Sequence, residues 1–361
     1  MKRHLIPKHL FAVFVMACFL IILCPATLAQ TTKSNAAPQP AQKVQPSKPT
    51  NPEEAYPRPP KPAKQYTIGL SVPHLSNPHF VNELYGYVDE AEKLGVKLVV
   101  VEAGGYENID KQISQIEDLI AHKVNAIIMS ATSSSGTIGV VERAVSLGIP
   151  VSTSASTVDT NKVTTWVRSD DETIGQMQAD YMGQALKGNG NIVMLPGPAG
   201  VAWAERRRNA FRRRLGEKFP GIKIIGEQYS KSSPVEGLRI MEDFLQTYPQ
   251  IDGVYNGADT MAIGAAQAVL AAGKSGKIVI TTTDFQPDTV SFVRSGTISA
   301  MVIQQAVLIG RFGIRAAVNN LEGRTVPKEI LVPPILVTKD DLARMDLRAL
   351  RSPEGWKPPI R

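Results

Sequence analysis

The sequence predicts an α/β protein built as two doubly wound parallel-sheet lobes joined at a hinge. Three observations carry this. From residue 66 onward, short β-branched runs alternate with runs of helical period, the pattern of successive βαβ units. The rhythm starts afresh at residue 191. Polar and aromatic residues gather just past the strand ends, where open α/β sheets bind ligands.

The first segment stands apart from this pattern. The 361-residue chain carries a formal net charge of +7, but its first 65 residues hold nine Lys/Arg and two Asp/Glu. The remainder holds 31 of each sign and is neutral. The basic balance therefore describes the leader and gives no support to a nucleic-acid surface. Residues 1–29 read as a cleavable secretory signal: Lys2, Arg3 and Lys8, then an apolar run over residues 10–24, then the small-residue site Thr27-Leu28-Ala29. Both cysteines lie in it, so the mature chain has no disulfide or thiol chemistry, and a periplasmic location is expected. Residues 30–65 are rich in Pro, Lys, Gln and Ala and are expected to be an extended, disordered linker.

The βα units follow. Residues 67–72 are a strand, residues 73–78 a loop with proline at both ends, and residues 79–94 a helix with Phe80, Leu84, Tyr87, Val88 and Ala91 on one stripe. Gly95 ends that helix and residues 97–101 form the next strand. Residues 109–122 and 138–147 are helices, and residues 126–129, 150–152 and 163–167 are strands. After the helix of residues 172–186, strands are expected at 191–195, 222–229, 253–256, 278–283 and 299–304. The helices between them run to residue 219 and over 235–248, 259–272 and 288–295, and a long one spans 306–321. Residues 329–337 read as one strand, followed by a tail over residues 340–350. The N-terminal lobe is then residues 66–168 plus 305–332. The C-terminal lobe and tail are 169–304 plus 333–361, with crossings near Arg168, Gln304 and Val332.

Motifs of catalysis are missing. There is no HExxH pair, no GxSxG elbow and no phosphate loop, so neither an enzyme nor a bound cofactor or metal is expected. The arginines at 206–208 and 212–214 spread around a helix beside Glu205 and Glu217. They read as a solvated face, with one arginine at the rim of a cleft. The candidate ligand-binding residues are those at the strand ends: Asn77, His79, Phe80, Tyr106, Ser130, Thr132, Ser154, Asp170, Trp203, Asp259, Asp284 and Gln304. Amides, hydroxyls and carboxylates converging with aromatic faces suit a small polar ligand. Taken singly, Asp170 and Asp259 also read as helix N-caps.

The runs Leu75-Ser-Asn-Pro-His-Phe80, Val167-Arg-Ser-Asp-Asp171, Asp259-Thr-Met-Ala-Ile-Gly264 and Thr283-Asp-Phe-Gln-Pro-Asp288 resemble the type I periplasmic binding proteins of the ribose-binding class. The resemblance implies a sugar held by Asn77, Phe80, Asp284 and Gln304. Where that class carries an Asp-Arg pair, this chain has Ala155-Ser156, and Ala258 stands where an asparagine precedes Asp259. Val101-Glu-Ala-Gly-Gly-Tyr106, Met194-Leu-Pro-Gly-Pro198, Pro333-Pro-Ile-Leu-Val337 and Ser352-Pro-Glu-Gly-Trp356 resemble the TorT-like sensory proteins, periplasmic partners of the trimethylamine N-oxide sensor kinase. That narrower likeness implies a membrane histidine kinase ectodomain as partner and a ligand such as trimethylamine N-oxide. The alternative expectation is a sugar receptor that serves an ABC permease.

Overall fold

The computed structural model describes residues 52–360. The signal sequence and most of the linker read from the sequence lie outside the described residues. In order, the elements are α1 (Pro52–Ala55), β1 (Thr67–Val72), α2 (Pro78–Leu94), β2 (Lys97–Glu102), α3 (Ile109–Ala121), β3 (Ala126–Met129), α4 (Ile138–Ser146), β4 (Val151–Ser154) and β5 (Trp166–Ser169). There follow α5 (Asp171–Ala185), β6 (Asn189–Leu195), α6 (Ala202–Lys218), β7 (Gly221–Glu227), α7 (Pro234–Thr247), β8 (Gly253–Asn256), α8 (Asp259–Ala271), β9 (Val279–Thr283), α9 (Pro287–Ser295) and β10 (Ala300–Ile303). The last elements are α10 (Ala306–Leu321), β11 (Glu329–Val332), β12 (Ile335–Thr338), α11 (Lys339–Leu342) and a 3-10 turn at Leu347–Leu350.

Two six-stranded sheets result, ordered β11-β5-β4-β3-β1-β2 and β12-β10-β9-β8-β6-β7. Every pairing is parallel except β10 with β12. Each sheet is covered on both faces, as parallel sheets require. In the first, α2 and α10 cover one face through Leu84, Tyr87 and Ile314, and α3 and α4 cover the other through Ile116, Leu119 and Val141. In the second, α5 and α6 pack Met182 and Phe211 on one face, and α7 and α8 pack Ile240, Met261 and Val269 on the other.

The chain passes between the sheets three times, after Ser169, after Ile303 and after Val332. At the third passage the single strand read over residues 329–337 is corrected. Residues 329–337 are two short strands, one in each sheet. Pro333 and Pro334 cannot donate backbone hydrogen bonds, so the ladder breaks there.

Both chain ends also depart from expectation. The linker end is ordered: Glu53, Tyr56 and Arg58 dock on α2 and α10, where Arg315 and Glu90 are buried. The tail starts on the C-terminal lobe, where Leu342 joins the core. It then crosses to the other lobe. The Ser352 amide donates to Asn82 Oδ1 at 2.9 Å, and Trp356 meets Tyr85 edge-on at 5.5 Å between ring centroids.

Candidate functional site

The carboxyl ends of the two sheets face each other across a cleft, because every βα loop of a parallel sheet leaves from the same edge. Asn77 ends the β1–α2 loop as the α2 N-cap, its Oδ1 accepting the His79 amide at 2.8 Å. With Pro78 at the first helical position, this fixes the first turn, which projects His79 and Phe80 into the cleft. His74 and Tyr106 complete an aromatic wall with Phe80, at centroid distances of 5.0 Å for His74–Phe80 and 5.4 Å for His74–Tyr106. Ala155, at φ 45°, closes this side.

The opposite wall comes from the second lobe. Gly197 turns the chain after β6 at φ 119°, and a Cβ there would lie 2.8 Å from the Trp203 ring. Trp203 and Arg207 stand on α6, with the guanidinium 4.8 Å from the indole. Arg207 is buried. Its Nε donates to Asp171 Oδ1 at 2.8 Å, its Nη1 to the Gly257 carbonyl at 3.0 Å, and its Nη2 to Gln304 Oε1 at 2.8 Å. The Gln304 amide passes the chain on, with Nε2 donating to both Asp284 oxygens at 3.0 Å. Asp284 then meets the first lobe: His79 Nδ1 lies 3.5 Å from its Oδ1. A second link across the cleft runs from Trp203 Nε1 to the Tyr106 hydroxyl at 3.2 Å.

The charges are arranged around these contacts. Burial opposes the His79 imidazolium, but Asp284 and Glu83 outweigh it and hold its pKa above the ordinary histidine value. Burial would also raise Asp284, but His79, Arg207 and the Gln304 hydrogen bond bring it below the usual carboxylate range. Its neighbour Asp259 goes the other way. Burial and the Asp284 charge push it up to about 7, against hydrogen bonds from Gln286. Two carboxylates in one dry site do not both ionise readily, and the one facing cations keeps the charge. Behind His79, burial also raises the Glu83 carboxyl, only partly offset by His79, Ser154 and Tyr87.

The cleft has two chambers. The inner one has a free volume of about 30 Å³ among Asn77, His79, Phe80, Trp203, Arg207, Asp284 and Gln304. The outer one has about 500 Å³ and lies between the loops after β2 and β3 on one lobe and those around 198–201 and 231–233 on the other. His74, Tyr106 and Ser232 border both.

The structure thus gathers seven of the twelve sequence candidates, Asn77, His79, Phe80, Tyr106, Trp203, Asp284 and Gln304, around the inner chamber. Asp259 flanks them at a small void shared with Asp284, and Thr132 lines only the outer chamber. Three candidates are corrected. Asp170 is the α5 N-cap, accepting from the Thr173 amide and hydroxyl. Ser154 accepts from the Tyr87 hydroxyl at 2.6 Å, and Ser130 Oγ from the Ser156 amide at 3.2 Å. All three brace loops and line neither chamber. Among the α6 arginines, Arg206 pairs with Asp171, Arg208 and Arg212 with Glu227 and Arg214 with Asp180 on the partly exposed face, whereas Arg207 is buried and lines the inner chamber. His74, Ala155, Ser232 and Ala258 are cleft residues outside the twelve candidates, and Arg207 is an arginine of α6 that the sequence reading did not single out. For Arg207 the available signal was its place one turn after Trp203.

The profile for the periplasmic binding protein domain matches residues 68–325. The chain belongs to the periplasmic binding protein family. It is 34% identical to the ribose import binding protein of Bacillus subtilis over 276 residues, covering 76% of this chain and 88% of that protein. It is 30% identical to the D-allose-binding periplasmic protein of Escherichia coli, covering 77% and 93%. A carbohydrate transporter solute-binding protein of Agrobacterium radiobacter, solved with D-arabinose, superposes with a TM-score of 0.76 at 27% identity, covering 81% of this chain and all of that one. The family's members are binding proteins, and the two-lobed fold read from the sequence is theirs. The narrower TorT-like likeness gains no support from these relatives.

Proposed function

We propose that this chain is a periplasmic receptor that closes its two lobes on a sugar and presents it to an ABC importer. The carrying observation is the inner chamber. Rigid aromatic faces from Phe80 and Trp203 border a relay of fixed polar groups, Arg207–Gln304–Asp284–His79. A sugar offers apolar ring faces and hydroxyls that both donate and accept, which is the complement of such a wall. Its relatives include receptors named for ribose import and D-allose, and the sugar-receptor alternative read from the sequence is the one they favour. The signal-like leader supports export.

Trimethylamine N-oxide fits less well. A methylated cationic nitrogen seeks open aromatic faces, whereas the Trp203 ring already carries the Arg207 guanidinium. A kinase partner remains the second reading, favoured by one relative, the fructose-binding periplasmic domain of a hybrid two-component system, at 26% identity and a TM-score of 0.73.

The test is a thermal-shift screen of monosaccharides and trimethylamine N-oxide followed by titration calorimetry. A sugar should raise the melting temperature by mass action. Asp284→Ala should weaken its binding by about 2 kcal/mol or more, the cost of losing hydrogen bonds to a buried charge. A shift with trimethylamine N-oxide and with no sugar would overturn the reading.

A further inference from the structure

The two chambers differ in size by more than an order of magnitude. Ligand sites enclose roughly 300–1,000 Å³. The inner chamber, at about 30 Å³, has room for a few waters, whereas the outer chamber, at about 500 Å³, falls within the ligand range. The two are continuous past His74, Tyr106 and Ser232. A sugar ring would enter the inner chamber only on lobe opening, the hinge motion of two-lobed receptors. The outer chamber is already there with the lobes linked through Tyr106–Trp203 and His79–Asp284. We propose that the outer chamber is a second subsite, and that the ligand is a neutral glycoside or disaccharide with one ring in the inner chamber and its second unit in the outer one. This rests on the sugar-receptor reading and extends it.

The lining specifies the chemistry. Its polar groups are mostly hydroxyls, from Tyr106, Thr132, Ser133, Ser232 and Ser233. Four of them are held in place: Thr132 by Gln112, Ser133 by the Gly136 amide, Ser232 by Thr260 and Ser233 by the Glu236 amide. A hydroxyl has one donor and two acceptor sites, so each retains capacity for a ligand while its position is fixed. The formal charges in the lining are one of each sign, Lys231 and Glu107. Burial lowers the His74 pKa and favours its neutral form. A balanced, hydroxyl-rich wall suits an uncharged polyol and offers a phosphorylated or carboxylated unit no net attraction. Gly104, Gly105, Ala199 and Gly200 keep the rims thin, so the chamber is wide where the second unit would enter.

The experiment compares matched ligands by calorimetry: D-ribose, D-allose and D-glucose against methyl glycosides and the disaccharides maltose and cellobiose. Wild-type protein should bind a glycoside or disaccharide about ten-fold or more tighter than the matching monosaccharide, about 1.4 kcal/mol. Ala199→Trp places an indole in the outer chamber from an exposed loop position that does not border the inner one. It should remove that advantage and leave monosaccharide binding within about two-fold. Ser135→Trp, from the opposite lobe, should do the same. Monosaccharides binding as tightly as their glycosides, or tryptophan variants that leave the longer ligand unaffected, would overturn the second subsite while leaving the sugar receptor standing. Failure of both ligand lengths would overturn both.

Discussion

Asp284 combines a buried carboxylate with an uncommon backbone conformation. It is held at φ 77°, a left-handed conformation unusual for a side chain with a Cβ, and Ala155 on the facing wall sits at φ 45°. Each such conformation costs of order 1–3 kcal/mol and persists only where the surroundings enforce it. For Asp284, Gln304 and His79 supply that enforcement. The neighbouring Asp259 makes stability depend on pH. An aspartate unfolds to a pKa near 3.9, while burial and Asp284 hold Asp259 at about 7 in the folded chain. Between those values the folded state binds more protons than the unfolded state, so stability falls as pH rises. His79, raised above its ordinary value, has the same sign: its contribution is complete below about 6.5 and is lost as pH climbs through the folded pKa. Asp259 and His79 should therefore lower the melting temperature from pH 5 to pH 8, against an opposite contribution from His74, whose buried imidazole is held below its ordinary value. Asp259→Asn should flatten the part between pH 5 and 7, as followed by circular dichroism, and an unchanged slope would remove Asp259 as its source.

At the scale of elements, glycines set how closely helices pair. Gly86 of α2 and Gly310 of α10 lie where those helices touch: a Cβ on Gly86 would be 2.1 Å from the Val307 carbonyl oxygen, and one on Gly310 2.1 Å from that of Glu83. The same device joins α7 and α8 at Gly237 and Gly264. The α2–α10 contact bears on the site because α2 carries His79 and Phe80 on its first turn and α10 begins two residues after Gln304. Gly310→Ala should destabilise the protein by about 1–3 kcal/mol, the usual cost of overpacking, measured by chemical denaturation. Because α2 would be displaced, ligand affinity should fall with it. Helical periodicity announced the buried stripe of α2, of which Phe80, Leu84, Tyr87 and Ala91 are interior. It could not announce the glycine notches, since a pairing partner 224 positions away leaves no periodic trace in the local sequence.

For the whole molecule, the tail adds a tie between the lobes beyond the three strand-end crossings. Leu342 anchors it in the C-terminal core, and Trp356 packs against the N-terminal core beside Tyr85. The linker end makes a second tie-down, through buried Glu90 and Arg315 with Arg58 and Glu53. Trp356→Ala removes one edge-on aromatic pair and part of its apolar burial. It should cost about 1–2 kcal/mol and expose the residues beyond 347 to limited proteolysis while leaving the cleft contacts of Asp284 and Gln304 in place. Resistance to trypsin equal to wild type would show that the tail is held elsewhere.

The sequence by itself determined the fold and most of the inner wall. Alternating periods define βα units, right-handed crossovers put every loop at one sheet edge, Asp284 and Gln304 follow strand ends directly, and Asn77 and Phe80 sit where the first βα loop enters its helix. What it left open were questions of distance between remote segments. Ser154 and Asp170 occupy the same kind of position as Asp284, yet they turn to Tyr87 and Thr173. Arg207, one of six arginines on α6, is buried only because Asp171, Gly257 and Gln304 converge on it from three other segments. The single apparent strand at 329–337 divides between two sheets, and the two chambers exist only between lobes brought together by the hinge. Local propensity is written in neighbouring residues, but burial and charge pairing depend on which distant groups share one dry volume, and only the tertiary structure decides that.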